Sequence, residues 1–221
     1  MTTEIATITD PFTTYSRGKT VIDQVVIHES VTSSRAKTVQ VLRARKLGVH
    51  IIIDRDGSVT QHAPLAAQVA HAGSKHNRRS VAIEVVNRYY GSQGDEGEPD
   101  IAAVWAHRGW YILPTPAQVE AVWLVLKGVL ALTPTIPRTF PGATKTRFTW
   151  GRLPAAQLAK VPAGIMAHHR TDHADGLFPE HYCLMRSLGH DELTAYRLTA
   201  EAASAGKRST PIVYPTQGAS S

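Results

Sequence analysis

Two histidines close short apolar runs in this sequence. His28 ends the stretch VVIH, and His168 follows GIMA. Runs of that composition form buried strands, and a strand end aims its side chain into the rim of a sheet, where sites assemble. Asp175 comes seven residues after His168 and is followed directly by Gly176. Two imidazoles and one carboxylate make a three-ligand zinc site with its fourth position open to water. Such a site is catalytic, because zinc draws the pKa of bound water down towards about 7 and polarises a carbonyl. The spacing alone equally suits histidines that serve the strand ends structurally.

Glu84 sits in SVAIEVVN, among β-forming apolar residues. A carboxylate in a buried strand is costly unless it is paired or used. Alternation offers a second placement, with Ser80, Ala82 and Glu84 on a solvent face and Val81, Ile83 and Val85 turned inward. His173, two residues before Asp175, could donate to an oxyanion or move a proton, or could be a surface loop histidine. His50 and His71 fall beside strands, where hydrogen-bonded structural roles suffice.

The elements that must position these groups follow from patterning. Val25–His28 reads as a strand. Residues 33–46 fit a helix with Ala36, Val39 and Leu42 on one face and Gly48 as its stop. Residues 49–53, the turn DRDG and residues 58–62 predict two strands joined by a tight turn. Residues 80–86 predict another strand, and 91–100 a polar loop. Thr115-Pro116-Ala117-Gln118 predicts a helix start with Thr as cap, Pro in first place and Gln118 closing a capping box. That helix should reach Leu132, burying Val119, Val122, Leu126 and Val129. Residues 133–160 carry several Pro and Gly and predict loop, with a short helix at 155–160. A strand at 164–167 and helices at 179–188 and 191–203 complete the chain, with a polar tail after residue 208. Strands mixed with helices in this order predict an α/β fold: one domain with a central mixed β-sheet and helices on both faces. Its limits are placed at residues 19–206, between an arm at 1–18 and a flexible tail at 207–221.

The chain has 221 residues, 43% of them apolar, enough for one sizeable core. A net charge of +6 favours a polyanionic partner, and 11 histidines are an unusual number. The positive charge is dispersed, its densest patches being 43–46 and 75–79, which argues against specific nucleic-acid binding. The single cysteine, Cys183, excludes an internal disulfide framework. The opening MTTEIATITD has neither a basic n-region nor an apolar h-region, so no secretory signal is expected. No stretch reaches the roughly 18 apolar residues of a membrane span, so no membrane insertion is expected.

Across roughly residues 20–185 the sequence resembles the zinc-dependent N-acetylmuramoyl-L-alanine amidases, a family that also includes the peptidoglycan recognition proteins. The resemblance rests on four motifs in order: VVIHES; LGVHIIIDRDGSVTQHAP; VAHAGSKHNRRSVAIEVVN with the TPAQVEAVWLVL helix after it; and AHHRTDHADGLF. It implies an amidase/peptidoglycan-recognition-protein-like fold and hydrolysis of the amide between N-acetylmuramic acid and L-alanine of bacterial peptidoglycan. It implies Zn2+ as cofactor, held by His28, His168 and Asp175. Glu84 would be the general base, and His173 would steady the oxyanion. The last motif departs from the family pattern: Ala167 replaces a Gly, the loop to Asp175 is short, and no Pro follows Asp175. Val49 stands where some relatives have Tyr. These departures leave open His169 in place of His168, and His173 in place of Asp175.

Lack of a visible signal suits a phage endolysin, a monomer made in the host cytoplasm and acting on the cell wall after release. A cytosolic recycling amidase and a peptidoglycan receptor without catalysis are the other readings. A zinc peptidase is disfavoured because the H-E-x-x-H helix is missing.

Overall fold

The β-branched runs become the strands of one sheet. β1 (Gln24–Glu29), β2 (Ile51–Ile53), β3 (Val59–Gln61), β4 (Ser80–Val85) and β9 (Gly164–Ala167) lie in the order β3-β2-β4-β1-β9. All pairings are parallel except β2 with β3, which the DRDG turn joins antiparallel. The computed structural model describes residues 5–88, 99–144, 147–171, 175–207 and 212–213. The predicted polar loop at 91–100 lies almost wholly outside the described residues, as does most of the tail.

The central strands β1 and β4 are buried along their whole length, as parallel strands covered on both faces must be. Val25, Ile27, Val81, Ile83 and Val85 face a large apolar core shared with α3 (Pro116–Leu132), α5 (Leu177–Ser187) and α6 (Glu192–Ala205). Ile52, Ala82 and Val86 face a smaller core shared with Val39 and Leu42 of α1 (Arg35–Ala44). Glu84 therefore belongs to the α1 side of a strand buried on both faces, and the solvent-face placement is set aside by its 6% exposure.

Local signals fix the ends of these elements. Ser34 caps α1, accepting from the Lys37 amide. The Thr115 capping box forms as patterned: the Gln118 amide donates to Thr115 Oγ1 at 3.1 Å, and the Thr115 amide donates to Gln118 Oε1 at 2.9 Å. Gln118 Nε2 then donates to the Val86 carbonyl, tying α3 to the end of β4. Val119, Val122, Leu126 and Val129 are fully buried, each stabilising the fold by about 1.5–3 kcal/mol. Asp191 caps α6 through the Thr194 amide.

The stretch predicted as loop holds more structure than its Pro and Gly content suggests. β7 (Ala143–Thr144) and β8 (Arg147–Phe148) pair antiparallel, and β10 (Ile212–Val213) adds to β8. A second hairpin joins β5 (Asp100–Ala102) to β6 (Trp110–Ile112). Strands of two or three residues carry too little alternation to be read from sequence. Short helices α2 (Ser74–Asn77) and α4 (Ala155–Leu158) flank β4 and precede β9. No helix among the described residues is long and apolar enough to cross a membrane.

The segment before β1 lies along the sheet edge. Ile8 bridges to Gln61 and Tyr15 to Gln68, and Phe12 is buried in the smaller core. Arg17 is buried and donates to the carbonyls of Leu65, Ala66, Asn77, Arg78 and Ser80.

Candidate active site

The carboxyl ends of β1, β4 and β9 meet at one rim of the sheet, the usual place for a site in a parallel sheet. His28 is the register partner of Glu84 on the neighbouring strand. His168 begins a 3-10 turn, His168–Arg170, immediately after β9. Asp175 precedes Gly176, the left-handed residue that opens α5. Rim, turn and helix start thus bring three distant stretches of chain together.

One potential ligand atom each from His28, His168 and Asp175 lies within 4.8 Å of the other two. Nδ1 of His28 is 3.5 Å from Asp175 Oδ2, and Nδ1 of His168 is 3.3 Å from Asp175 Oδ1. The two imidazole rings are 4.4 Å apart between centroids. His169, also buried, is not part of this group; its amide donates to the Asp175 carbonyl at 3.0 Å. His173 lies outside the described residues.

The donor set fits a zinc ion. Asp175 Oδ1 is buried without a hydrogen-bond partner, although two histidine nitrogens face the carboxylate. Burial opposes the charge on Asp175, yet His168 and His28 hold its carboxyl well below the usual range. Nitrogen and oxygen ligands in a two-to-one ratio, with a cleft on the fourth side, match the open zinc sites of hydrolases.

A chain of hydrogen bonds sets the tautomer of His28. The Ser80 hydroxyl donates to the His76 carbonyl at 2.7 Å, so its oxygen accepts from Nε2–H of His71 at 2.9 Å. Nδ1 of His71 then accepts from Nε2–H of His28 at 3.0 Å. This assignment of protons, made from the network, turns the lone pair of His28 Nδ1 towards Asp175 and His168. Burial, reinforced by the nearness of His28, keeps His71 well below the ordinary histidine value, so the ring stays neutral. His71 was legible in sequence only as a structural histidine beside a strand. His50 does fill that role: the Ala82 amide donates to its Nδ1 at 2.9 Å, and Nε2–H reaches the Ala67 carbonyl at 3.0 Å.

Glu84 lines the same cleft as His28, His71, His168 and Asp175, a cavity of about 400 Å³ that Val41, Leu42 and Leu47 also line. Burial, and then the charges of Asp175 and Glu29, push its carboxyl well above the usual value. A carboxylate so placed readily accepts a proton, which suits a general base.

Glu29 is a buried carboxylate whose part sequence reading missed. Its neighbours in QVVIHE are apolar apart from Gln24 and His28, and an ionisable group in so apolar a strand was the available signal. Asn87 Nδ2 and the Tyr111 hydroxyl donate to Oε1 at 2.9 and 2.6 Å, and the Gly176 amide donates to Oε2 at 2.8 Å. Burial raises its pKa to about 7, against the lowering effect of these hydrogen bonds.

A mixed sheet with two histidines and two carboxylates gathered at the carboxyl rim of its parallel strands has the build of an α/β hydrolytic enzyme. The chain belongs to the N-acetylmuramoyl-L-alanine amidase family, whose family model matches residues 18–190. Among solved structures it is similar in fold to the Staphylococcus aureus hydrolase AmiA, determined in complex with its ligand. That match has 15% identity, 92% of this chain and 85% of that one covered, and a TM-score of 0.51. The N-acetylmuramoyl-L-alanine amidase LysC from Clostridium intestinale also matches, at 12% identity over 84% of this chain and 96% of that one, with a TM-score of 0.49. No curated protein sequence matches the chain.

Proposed function

We propose that the protein is a zinc-dependent peptidoglycan amidase that cuts the bond between N-acetylmuramic acid and L-alanine. The observation that carries this reading is the convergence of His28, His168 and Asp175 beside Glu84 in one cleft. Zinc, when bound, supplies a Lewis acid that acidifies a water and polarises the scissile carbonyl.

The remaining work falls to the chain. His28, His168 and Asp175 hold the ion. Glu84 accepts the attacking water's proton and passes it to the leaving amine of L-alanine. Its burial raises its proton affinity, which favours taking the water's proton, and the leaving amine, more basic still, draws that proton on. His173, two residues before Asp175, donates to the oxyanion that develops on the carbonyl. Val41, Leu42 and Leu47 give the cleft an apolar side against which the substrate can lie.

The biological role we propose is that of an endolysin, a monomer whose net charge of +6 suits the anionic wall. The four groups of an active centre set it apart from a receptor that only binds. Mass spectrometry of peptidoglycan digested by the zinc-loaded protein tests the reading. Intact free stem peptides are the expected product. Shortened peptides would point to a peptidase, and unchanged peptidoglycan to a receptor. Lysis of whole cell-wall suspensions, against turnover of small soluble muropeptides only, separates an endolysin from a recycling amidase.

A further inference from the structure

Three donors from three separate elements converge on the Glu29 carboxylate. Asn87 follows β4, Tyr111 belongs to β6, and Gly176 opens α5. Oε1 accepts from Asn87 and Tyr111 and Oε2 accepts from Gly176, so both oxygens serve as acceptors. A glutamine would present its NH2 to at least one N–H or O–H. Glu29 is 3% exposed, and these donors occupy both of its oxygens, so it is directed at protein groups and not at an ion.

The Gly176 contact gives Glu29 its consequence. Gly176 has a φ of +82°, and a Cβ there would stand 2.1 Å from the Ile27 carbonyl oxygen. The backbone is therefore pressed against β1 at this residue, and Glu29, two residues on from Ile27, holds its amide. Asp175 is the next residue back. Its own carbonyl accepts from the His169 amide at 3.0 Å. The candidate third ligand is thus tethered on one side to the turn that bears His168 and on the other to the strand that bears His28.

We infer that Glu29 is a positioning residue for the metal centre: it clamps the Asp175–Gly176 turn so that the Asp175 carboxylate meets His28 and His168 in ligand geometry. The inference rests on the metal reading proposed above. It assigns Glu29 no contact with substrate and no proton to move. Supporting residues of this kind commonly alter metal affinity by about 10–100-fold when changed.

Zinc affinity by competition with a chromophoric chelator, and the visible spectrum of the cobalt(II) form, test it in a double-mutant cycle. Glu29→Gln should keep its far-UV circular dichroism and bind one zinc about 10–100-fold more weakly, with altered cobalt bands. In an Asp175→Ala background the same change should have almost no effect, because no ligand remains to be positioned. Wild-type affinity in folded Glu29→Gln would overturn the inference. So would an equal loss in both backgrounds, which would mark a general effect on the fold. If Glu29→Gln does not fold, Tyr111→Phe takes its place in the cycle, with a smaller loss expected that again vanishes without Asp175. A wild-type chain that binds no zinc would overturn the metal reading, and this inference with it. Zinc bound normally by both wild type and Glu29→Gln would sink the inference alone.

Discussion

His28 and Glu84 are register partners on adjacent parallel strands, and their side chains line the same cleft. The pairing places a candidate ligand and a candidate base side by side on the α1 face of the sheet. It follows that the two roles can be separated by substitution. Glu84→Gln should fold, retain zinc and lose about 10²–10⁴-fold in turnover of a cell-wall suspension. Near-normal turnover would reduce Glu84 to a strand residue.

The ligand assignment predicts a different pattern for His28→Ala. One zinc per chain is expected in the purified wild type, and most of it should be gone from this variant by elemental analysis. Full occupancy would remove His28 from the site.

Orientation of His28 by His71 and Ser80 predicts a graded response. His71→Ala removes the acceptor that fixes the His28 tautomer, and should weaken zinc binding by about 10–100-fold without loss of fold. Ser80→Ala leaves His71 in place and should cost less. Equal zinc affinity in wild type and His71→Ala, by chelator competition, would show that His28 is oriented by other contacts.

His173 is expected to act on the oxyanion. His173→Ala should keep zinc and substrate binding while turnover falls about 10²–10³-fold. Metal content in two variants checks the alternative. Zinc lost from His173→Ala but kept in Asp175→Ala would exchange their roles.

Acid sensitivity should come partly from His181, remote from the cleft. It lies between Phe148 and Trp150, and its Nδ1–H donates to Thr199 Oγ1 at 2.9 Å. Burial, with Arg170 nearby, lowers its pKa from 6.5 to about 3. The native state then binds fewer protons than the unfolded chain below pH 6.5, so stability present above that pH is lost as pH falls towards 3. One such group contributes a slope of up to about 1.4 kcal/mol per pH unit. Urea unfolding of the metal-free protein should show a flatter slope over pH 4–6 for His181→Asn, by roughly that amount. Unchanged slopes would mean that His181 is charged in the native state.

Much of the architecture was legible because its signals are local. A capping box needs four adjacent residues, and Thr115–Gln118 supplies them. Apolar runs such as VVIH and SVAIEV become buried strands in almost any compact arrangement, since their transfer from water dominates their energetics. The order of His28, Glu84, His168 and Asp175 was legible as well, through motifs that keep each group at the end or in the middle of such a run.

Other features were decided only in three dimensions. Alternation alone could not say whether Glu84 faces solvent, because that depends on α1 covering the second face of β4. The direction of protons from His28 through His71 to Ser80 joins residues of three separate segments, and only a hydrogen-bond network fixes a tautomer. Glu29 gathers partners 58, 82 and 147 residues away in the chain, which no local pattern encodes. The short β5–β6 and β7–β8 hairpins have too few residues for periodicity and form because packed neighbours supply their hydrogen-bond partners and cover. By itself, then, the sequence determined the longer strands and helices, through local pattern, and a short set of residues that could hold a metal. Packing determined which of those residues touch, because contact energies act through space between side chains that the chain keeps far apart.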